Sequence, residues 1–94
     1  MRRLRDLPGS GFRVIVLTLY SRPDCHLCEV MAGQLEPLLR GRAELRVVDI
    51  SGSLELKRRY GLRIPVLAGE GEELCHYRLD RERVESYLAG ASRS

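Results

Sequence analysis

From Arg13 to Tyr20 the chain reads RVIVLTLY, almost continuously apolar and rich in β-branched side chains. Such a run predicts a central strand covered on both faces, because a strand with one wet face alternates instead. After the polar turn Ser21-Arg22-Pro23-Asp24, apolar residues recur at three- and four-residue spacing: Leu27, Met31, Leu35, Leu38 and Leu39. That predicts a helix from about Cys25 to Leu39 with one buried stripe. Pro37 should kink or loosen its last turn, and Gly41 should end it.

Glu44 to Ile50, ELRVVDI, predicts a second strand, and the long helical crossover before it favours parallel pairing with the first. Ser51 or Ser53 can cap a short helix through Tyr60, with Gly61 as its stop. Ile64–Ala68 (IPVLA) and Leu74–Leu79 (LCHYRL) predict two short strands. The glycine-rich spacer Gly69-Glu70-Gly71-Glu72-Glu73 between them suggests an antiparallel hairpin with a solvated loop. Asp80 should cap a final helix, Arg81–Leu88, whose apolar face is Val84, Tyr87 and Leu88. The order β-α-β-α-β-β-α describes an α/β unit without repeat or internal linker. A chain of 94 residues fits one domain burying roughly 60–65% of its unfolded surface.

Charge changes this picture little. The net charge of +3 rests on sixteen basic residues, of which Lys57 is the only lysine. The arginines are scattered among thirteen acids and few aromatic residues, unlike the clustered footprint of a nucleic-acid binder, so no nucleic-acid partner is expected. No apolar stretch approaches a membrane span, so no membrane partner is expected either. Met1-Arg2-Arg3-Leu4-Arg5 is basic, as a targeting peptide is, but Asp6, Pro8 and Arg13 interrupt it and no small-residue cleavage site follows. Residues 1–12 are therefore read as a flexible or loosely attached start. Three cysteines, an odd number, argue against a secreted disulfide framework and fit a reducing, cytoplasmic setting in which a thiol pair cycles.

The candidate chemistry is Cys25-His26-Leu27-Cys28, set where a strand and turn give way to a helix. The first turn of a helix presents unpaired N–H groups and the positive end of the helix dipole, and both favour a thiolate over a thiol. Cys25 should be the exposed nucleophile and Cys28, one turn further in, the resolving thiol. Arg22 and a protonated His26 would favour the thiolate, while Asp24 opposes it.

These residues resemble the glutaredoxin branch of the thioredoxin-fold family. The similarity rests on three ordered elements: Leu19-Tyr20-Ser21-Arg22-Pro23-Asp24-Cys25-His26-Leu27-Cys28, then Tyr60-Gly61-Leu62-Arg63-Ile64-Pro65-Val66-Leu67, then a hairpin and closing helix. The resemblance spans about residues 13 to 88, and the chain, residues 1–94, is expected to form a single glutaredoxin-like domain. Its expected core is a four-stranded mixed sheet in the order 2-1-3-4, flanked by helices. It implies a cis Ile64–Pro65 bond beside the cysteines, with the Ile64 backbone pairing with an extended substrate. It further implies thiol–disulfide oxidoreductase activity with no bound cofactor, on a disulfide-containing protein or small thiol. Glutathione or a reductase would supply the electrons. Glutaredoxins that bind glutathione usually carry a lysine before the motif, Thr-Val-Pro, and a Gly-Gly pair with an acid ahead of the last helix. Here Arg22, Arg63-Ile64-Pro65 and Leu79-Asp80 stand in those places, so Arg22 is the candidate for a glutathione carboxylate and Asp80 for its amine. The first strand lacks the buried acid associated with thioredoxin.

Two readings of other classes stay open. Cys25, His26 and Cys28 offer soft ligands for zinc, or for an iron–sulfur cluster bridged between two chains. A closed zinc site normally needs four ligands, and the remaining candidates, Cys75 and His76, should lie on opposite faces of a strand. Alternatively, the fold could serve as an interaction domain whose thiols hardly turn over. Cys75 reads as core packing beside Tyr77 and Leu79, and Asp49 and Tyr20 as structural.

Overall fold

The computed structural model describes residues 14–92; the start expected to be loosely attached, residues 1–12, lies outside the described residues. The elements are β1 (Val16–Ser21), α1 (His26–Leu39), β2 (Glu44–Asp49), a 3₁₀ turn (Ile50–Gly52), α2 (Leu54–Tyr60), β3 (Val66–Gly69), β4 (Glu72–His76) and α3 (Arg81–Ser92). They form a four-stranded sheet in the order β2-β1-β3-β4. β1 runs parallel to β2 from Val16–Glu44 to Ser21–Asp49, antiparallel to β3, and β3 antiparallel to β4.

Alternation along β1 sends Leu17, Leu19 and Ser21 to one face, where all three are buried. Leu17 and Leu19 join Met31, Leu35, Leu38 and Leu39 of α1, Leu67 and Leu74 of the hairpin, and Val84 and Leu88 of α3 in the main core. The stripe of α1 begins at Cys28 rather than at Leu27, which is exposed. Both residues fit the helical period, and Cys28 is the one that packs with Ile50 and Ile64. Pro37 sits within α1 without ending it; the helix runs to Leu39, and Gly41 then reverses the chain at φ 75°. Ser53, not Ser51, caps α2 by accepting the Leu56 N–H at 3.1 Å.

The hairpin is tighter than its charged spacer suggests. Glu72 and Glu73 belong to β4, leaving Glu70-Gly71 as the turn, with Gly71 at φ 76°. Their carboxylates are not merely solvated: Glu72 meets Arg83 of α3 and Glu73 meets Arg63. An extra residue bulges β4 where Leu67 pairs with Cys75 but Ala68 pairs with Glu73. Leu74 is thereby buried and Cys75 half-buried against the core, while His76 is exposed beside Glu73.

Gly69 and Tyr87 lock α3 to the hairpin. A Cβ at Gly69 would lie 2.7 Å from Tyr87 Cε1 and from its hydroxyl oxygen, and that hydroxyl accepts the Glu70 N–H at 2.8 Å. Gly69→Ala should therefore displace the Tyr87 ring and destabilise the fold by about 1–3 kcal/mol, the usual range for overpacking. Tyr87→Phe, losing only the hydrogen bond, should cost about 0.5–1.5 kcal/mol. Urea unfolding of the three proteins checks both values, and an unchanged midpoint for Gly69→Ala would contradict the lock.

Candidate active site

The turn between β1 and α1 closes through Asp24, whose φ of 61° is one that aspartate tolerates better than most side chains. Cys25 then takes an extended conformation as the N-cap of α1. Its Sγ accepts the backbone N–H of Cys28 at 3.2 Å, the service a serine or aspartate usually performs at this position. Cys25 and Cys28 are joined as a disulfide with their Cα atoms 5.2 Å apart. The two sulfurs have unequal surroundings. Cys25 is partly exposed, whereas Cys28 retains 5% of its surface and packs with Ile50 and Ile64.

Three chain segments build this second, smaller cluster: Ile50 just beyond β2, Ile64 just ahead of β3, and Leu56 and Tyr60 of α2, with Tyr20 of β1 against them. The Ile64–Pro65 bond is cis, and Pro65 is fully buried. Tyr20 and Tyr60 stack with centroids 4.1 Å apart, and the guanidinium groups of Arg59 and Arg63 lie 5.6 and 5.8 Å from the Tyr60 centroid. Burial, reinforced by the neighbouring Tyr60, raises the Tyr20 pKa.

Tyr77 closes the other side. It adopts φ 66°, unusual for a bulky side chain. Its N–H bonds Pro65 O at 2.9 Å and its hydroxyl donates to Leu62 O at 2.6 Å, so the segment holding the cis proline is fastened to the end of β4. Arg63 adds a second tie through Nη1, which donates to both carboxylate oxygens of Glu73, at 2.6 Å to Oε1. Leu62, 91% exposed and bonded through its carbonyl to the Tyr77 hydroxyl, and the exposed Leu27 and Tyr77 leave apolar surface open. A shallow groove of about 340 Å³ continues between Leu27, Val30 and Gln34 of α1 and Tyr77, Arg78 and Leu79.

Of the residues singled out by sequence, Cys25, Cys28, Ile64 and Pro65 fall in or beside this cluster. Arg22 and His26 are exposed on the turn and the first turn of α1. Asp80 caps α3, its Oδ1 accepting the Arg83 N–H at 3.0 Å, so one carboxylate oxygen already has a structural task. Asp49 accepts from the N–H and hydroxyl of Ser51, which holds its pKa below the ordinary carboxylate value. Among the described residues no three His, Cys, Asp or Glu side chains converge, so Cys75 and His76 do not complete a metal set with the pair. Burial pushes the Cys75 thiol pKa up. Sequence reasoning passed over Tyr60, Arg59, Ile50, Leu56 and Tyr77 as site residues. The arginines on either side of Tyr60 in sequence, Arg59 and Arg63, were the one signal that could have drawn attention to an aromatic ring bracketed by cations.

A strand–turn–helix junction carrying paired cysteines, facing a cis-proline segment across a 2-1-3-4 sheet, defines a thioredoxin-fold protein of the Cys-x-x-Cys type. A family model described as a glutaredoxin-like domain (DUF836) matches residues 16–89, and the chain belongs to that family. Among solved structures it is similar to protein Ne2328 of Nitrosomonas europaea, with 41% identity, a TM-score of 0.75, and coverage of 82% of this chain and 94% of that one. Protein XcR50 of X. campestris shares 37% identity at a TM-score of 0.62, covering 79% of this chain and 96% of its own. A mutant thioredoxin from Halobacterium salinarum shares the fold at a TM-score of 0.56, with 21% identity over 83% of this chain and 74% of that one.

The Arg63–Glu73 tie has a pH signature. The hydrogen bond from Arg63 is the main cause of a Glu73 pKa below its ordinary 4.5. A carboxylate with a depressed folded pKa adds stability that is fully present above its unfolded value and is lost as pH falls through the folded one. Glu73→Gln should therefore be less stable than the natural protein at pH 7. The gap should shrink as pH drops from about 5 toward 3, as measured by urea midpoints across that range. A gap that stays constant would show that Glu73 acts only through packing.

Proposed function

We propose that this protein is a thiol–disulfide oxidoreductase in which Cys25 and Cys28 form the working dithiol. The carrying observation is the unequal pair at the N-terminus of α1. The more accessible Cys25 sulfur already accepts a backbone N–H, and Cys28 is shielded behind it. A donor aimed at sulfur favours the thiolate, the attacking species. In the reduced protein, Cys25 thiolate attacks a substrate disulfide to give a mixed disulfide and release one substrate thiol. Cys28 then attacks Cys25 sulfur, freeing the second thiol and closing the Cys25–Cys28 bridge. A two-electron reductant, glutathione or a reductase, restores the dithiol.

In this reading Ile64 offers its backbone to an extended substrate beside Pro65, Arg22 offers a charge to a substrate carboxylate, and His26 tunes the pair from within the motif. Asp80 would receive an ammonium group with the oxygen not used in capping. The exposed apolar surface of Leu27, Leu62 and Tyr77 supports a disulfide presented on a protein rather than one sunk in a pocket. No helix among the described residues is long and apolar enough to cross a membrane. The working place proposed is the cytoplasm, where reductant for such a cycle is plentiful. Neither nucleic acid nor a bound cofactor enters the scheme.

The test is a redox titration in glutathione buffers followed by thiol alkylation and intact mass. A reversible two-electron transition should appear, vanish in Cys25→Ser, and leave a trapped mixed disulfide on Cys25 in Cys28→Ser. Disulfide-reducing activity that survives Cys25→Ser would sink the assignment.

A further inference from the structure

Tyr77 grips the chain on both sides of Ile64. Its hydroxyl donates to Leu62 O at 2.6 Å, and its N–H donates to Pro65 O at 2.9 Å. Between these two grips the Ile64 N–H and C=O make no hydrogen bond among the described residues, although Ile64 is only 8% exposed and packs with Cys28. Backbone polar groups beside a buried side chain call for partners, and an adjacent donor and acceptor left open are what an extended chain can pair with. Tyr77 holds its position at φ 66°, a conformation that a bulky residue keeps only where its surroundings impose it. Its ring, 47% exposed, is also one wall of the groove whose other side is formed by Leu27, Val30 and Gln34 of α1. Leu27 lies between the two cysteines in sequence, so the groove starts at the motif. One side chain thus touches both the groove and the segment with the open backbone pair.

We infer that Tyr77 determines specificity for disulfides carried on an extended polypeptide: its two bonds hold the Ile64 backbone in register for pairing, and its ring is the wall along which that polypeptide lies. The inference rests on the oxidoreductase reading above. The exchange itself is unchanged. Cys25 thiolate bonds one substrate sulfur, the substrate S–S bond breaks, and the other sulfur leaves as a thiolate and takes up a proton. What Tyr77 governs is how the target sulfur is presented. A polypeptide flanking the disulfide can pair with Ile64 and cover the ring, as an added strand does at a sheet edge. A small disulfide has no main chain to reach either, so it reacts through Cys25 alone. Contacts of this kind are made equally before and during bond exchange, so they tighten binding and leave the limiting rate unchanged.

The experiment uses the full chain as natural protein, Tyr77→Phe and Tyr77→Ala, with two probes. One is the disulfide-linked dimer of a short unstructured peptide with a central cysteine; the other is bis(2-hydroxyethyl) disulfide. Single-turnover oxidation of the pre-reduced protein is followed by quenched alkylation and intact mass across probe concentrations. Tyr77→Phe keeps the ring and the N–H bond but releases Leu62 O. It should raise the half-saturating peptide concentration about fivefold and leave the limiting rate within twofold. Tyr77→Ala, which loses the ring as well, should raise it by more than about tenfold. The rate with bis(2-hydroxyethyl) disulfide should stay within twofold in all three proteins.

The inference is overturned if Tyr77→Phe matches the natural protein with the peptide, since the hydroxyl grip would then be idle. It is overturned equally if Tyr77→Phe slows both probes together, which would mark a general disturbance around Cys25, or if folded Tyr77→Ala is no worse than Tyr77→Phe. Should Tyr77→Ala fail to fold, Tyr77→Phe decides on its own. A natural protein oxidised by neither probe would fail the oxidoreductase reading first, which keeps the two failures apart.

Discussion

Parallel pairing of β1 with β2 is the constraint from which the rest of the molecule follows. Two parallel neighbours cannot be joined by a tight turn, so the chain must leave the end of β1, cross the sheet as a helix, and return to the start of β2. The N-terminus of α1 is thereby delivered to the edge of the sheet where β1 ends. Because β3 runs antiparallel to β1, the Ile64–Pro65 segment that leads into β3 arrives at the same edge, as does Ile50 at the end of β2. Open N–H groups of a first helical turn, a cis-proline segment and two apolar side chains meet there as a consequence of strand direction. The cysteines occupy the place where that convergence is most useful.

The α2 segment supplies a different kind of support. It is short and has no fully buried side chain, so its own apolar burial is modest. Its attachment depends instead on Tyr60, stacked on Tyr20 and accompanied by the Arg59 and Arg63 guanidiniums. Ring stacking and cation–π contacts are directional where aliphatic packing is not, so they fix the orientation of a small element better than an equal area of leucine would. The wall beside Cys25 is in this sense built from geometry rather than bulk.

Much of the architecture was legible because its signals are local. The apolar run of β1, the helical spacing of α1, the serine at 53 and the glycine at 41 each act within a few residues of themselves. What escaped depended on partners distant in sequence. Glu72 and Glu73 look like loop residues until Arg83 and Arg63 are brought across to them. Leu27 and Cys28 fit the same helical period, and only the rotation of α1 imposed by the cluster around Ile50 and Ile64 decides between them. Tyr77 gives no sign in sequence of its left-handed backbone or of its two bonds to the cis-proline segment, since neither exists until β4 lies beside that segment. The cysteine pair itself was plain from its spacing and its place after a strand.

The bulge at Leu74 reaches beyond the core that it fills. β4 is an outer strand of the sheet, and a regular outer strand offers an unbroken row of N–H and C=O groups to any extended chain that passes. One extra residue puts that row out of step halfway along a five-residue strand, between Ala68–Glu73 and Leu67–Cys75. A foreign strand arriving there could match one half of the edge or the other, but not both. The same residue that seals the interior therefore makes this border of the sheet a poor template for chain-to-chain aggregation.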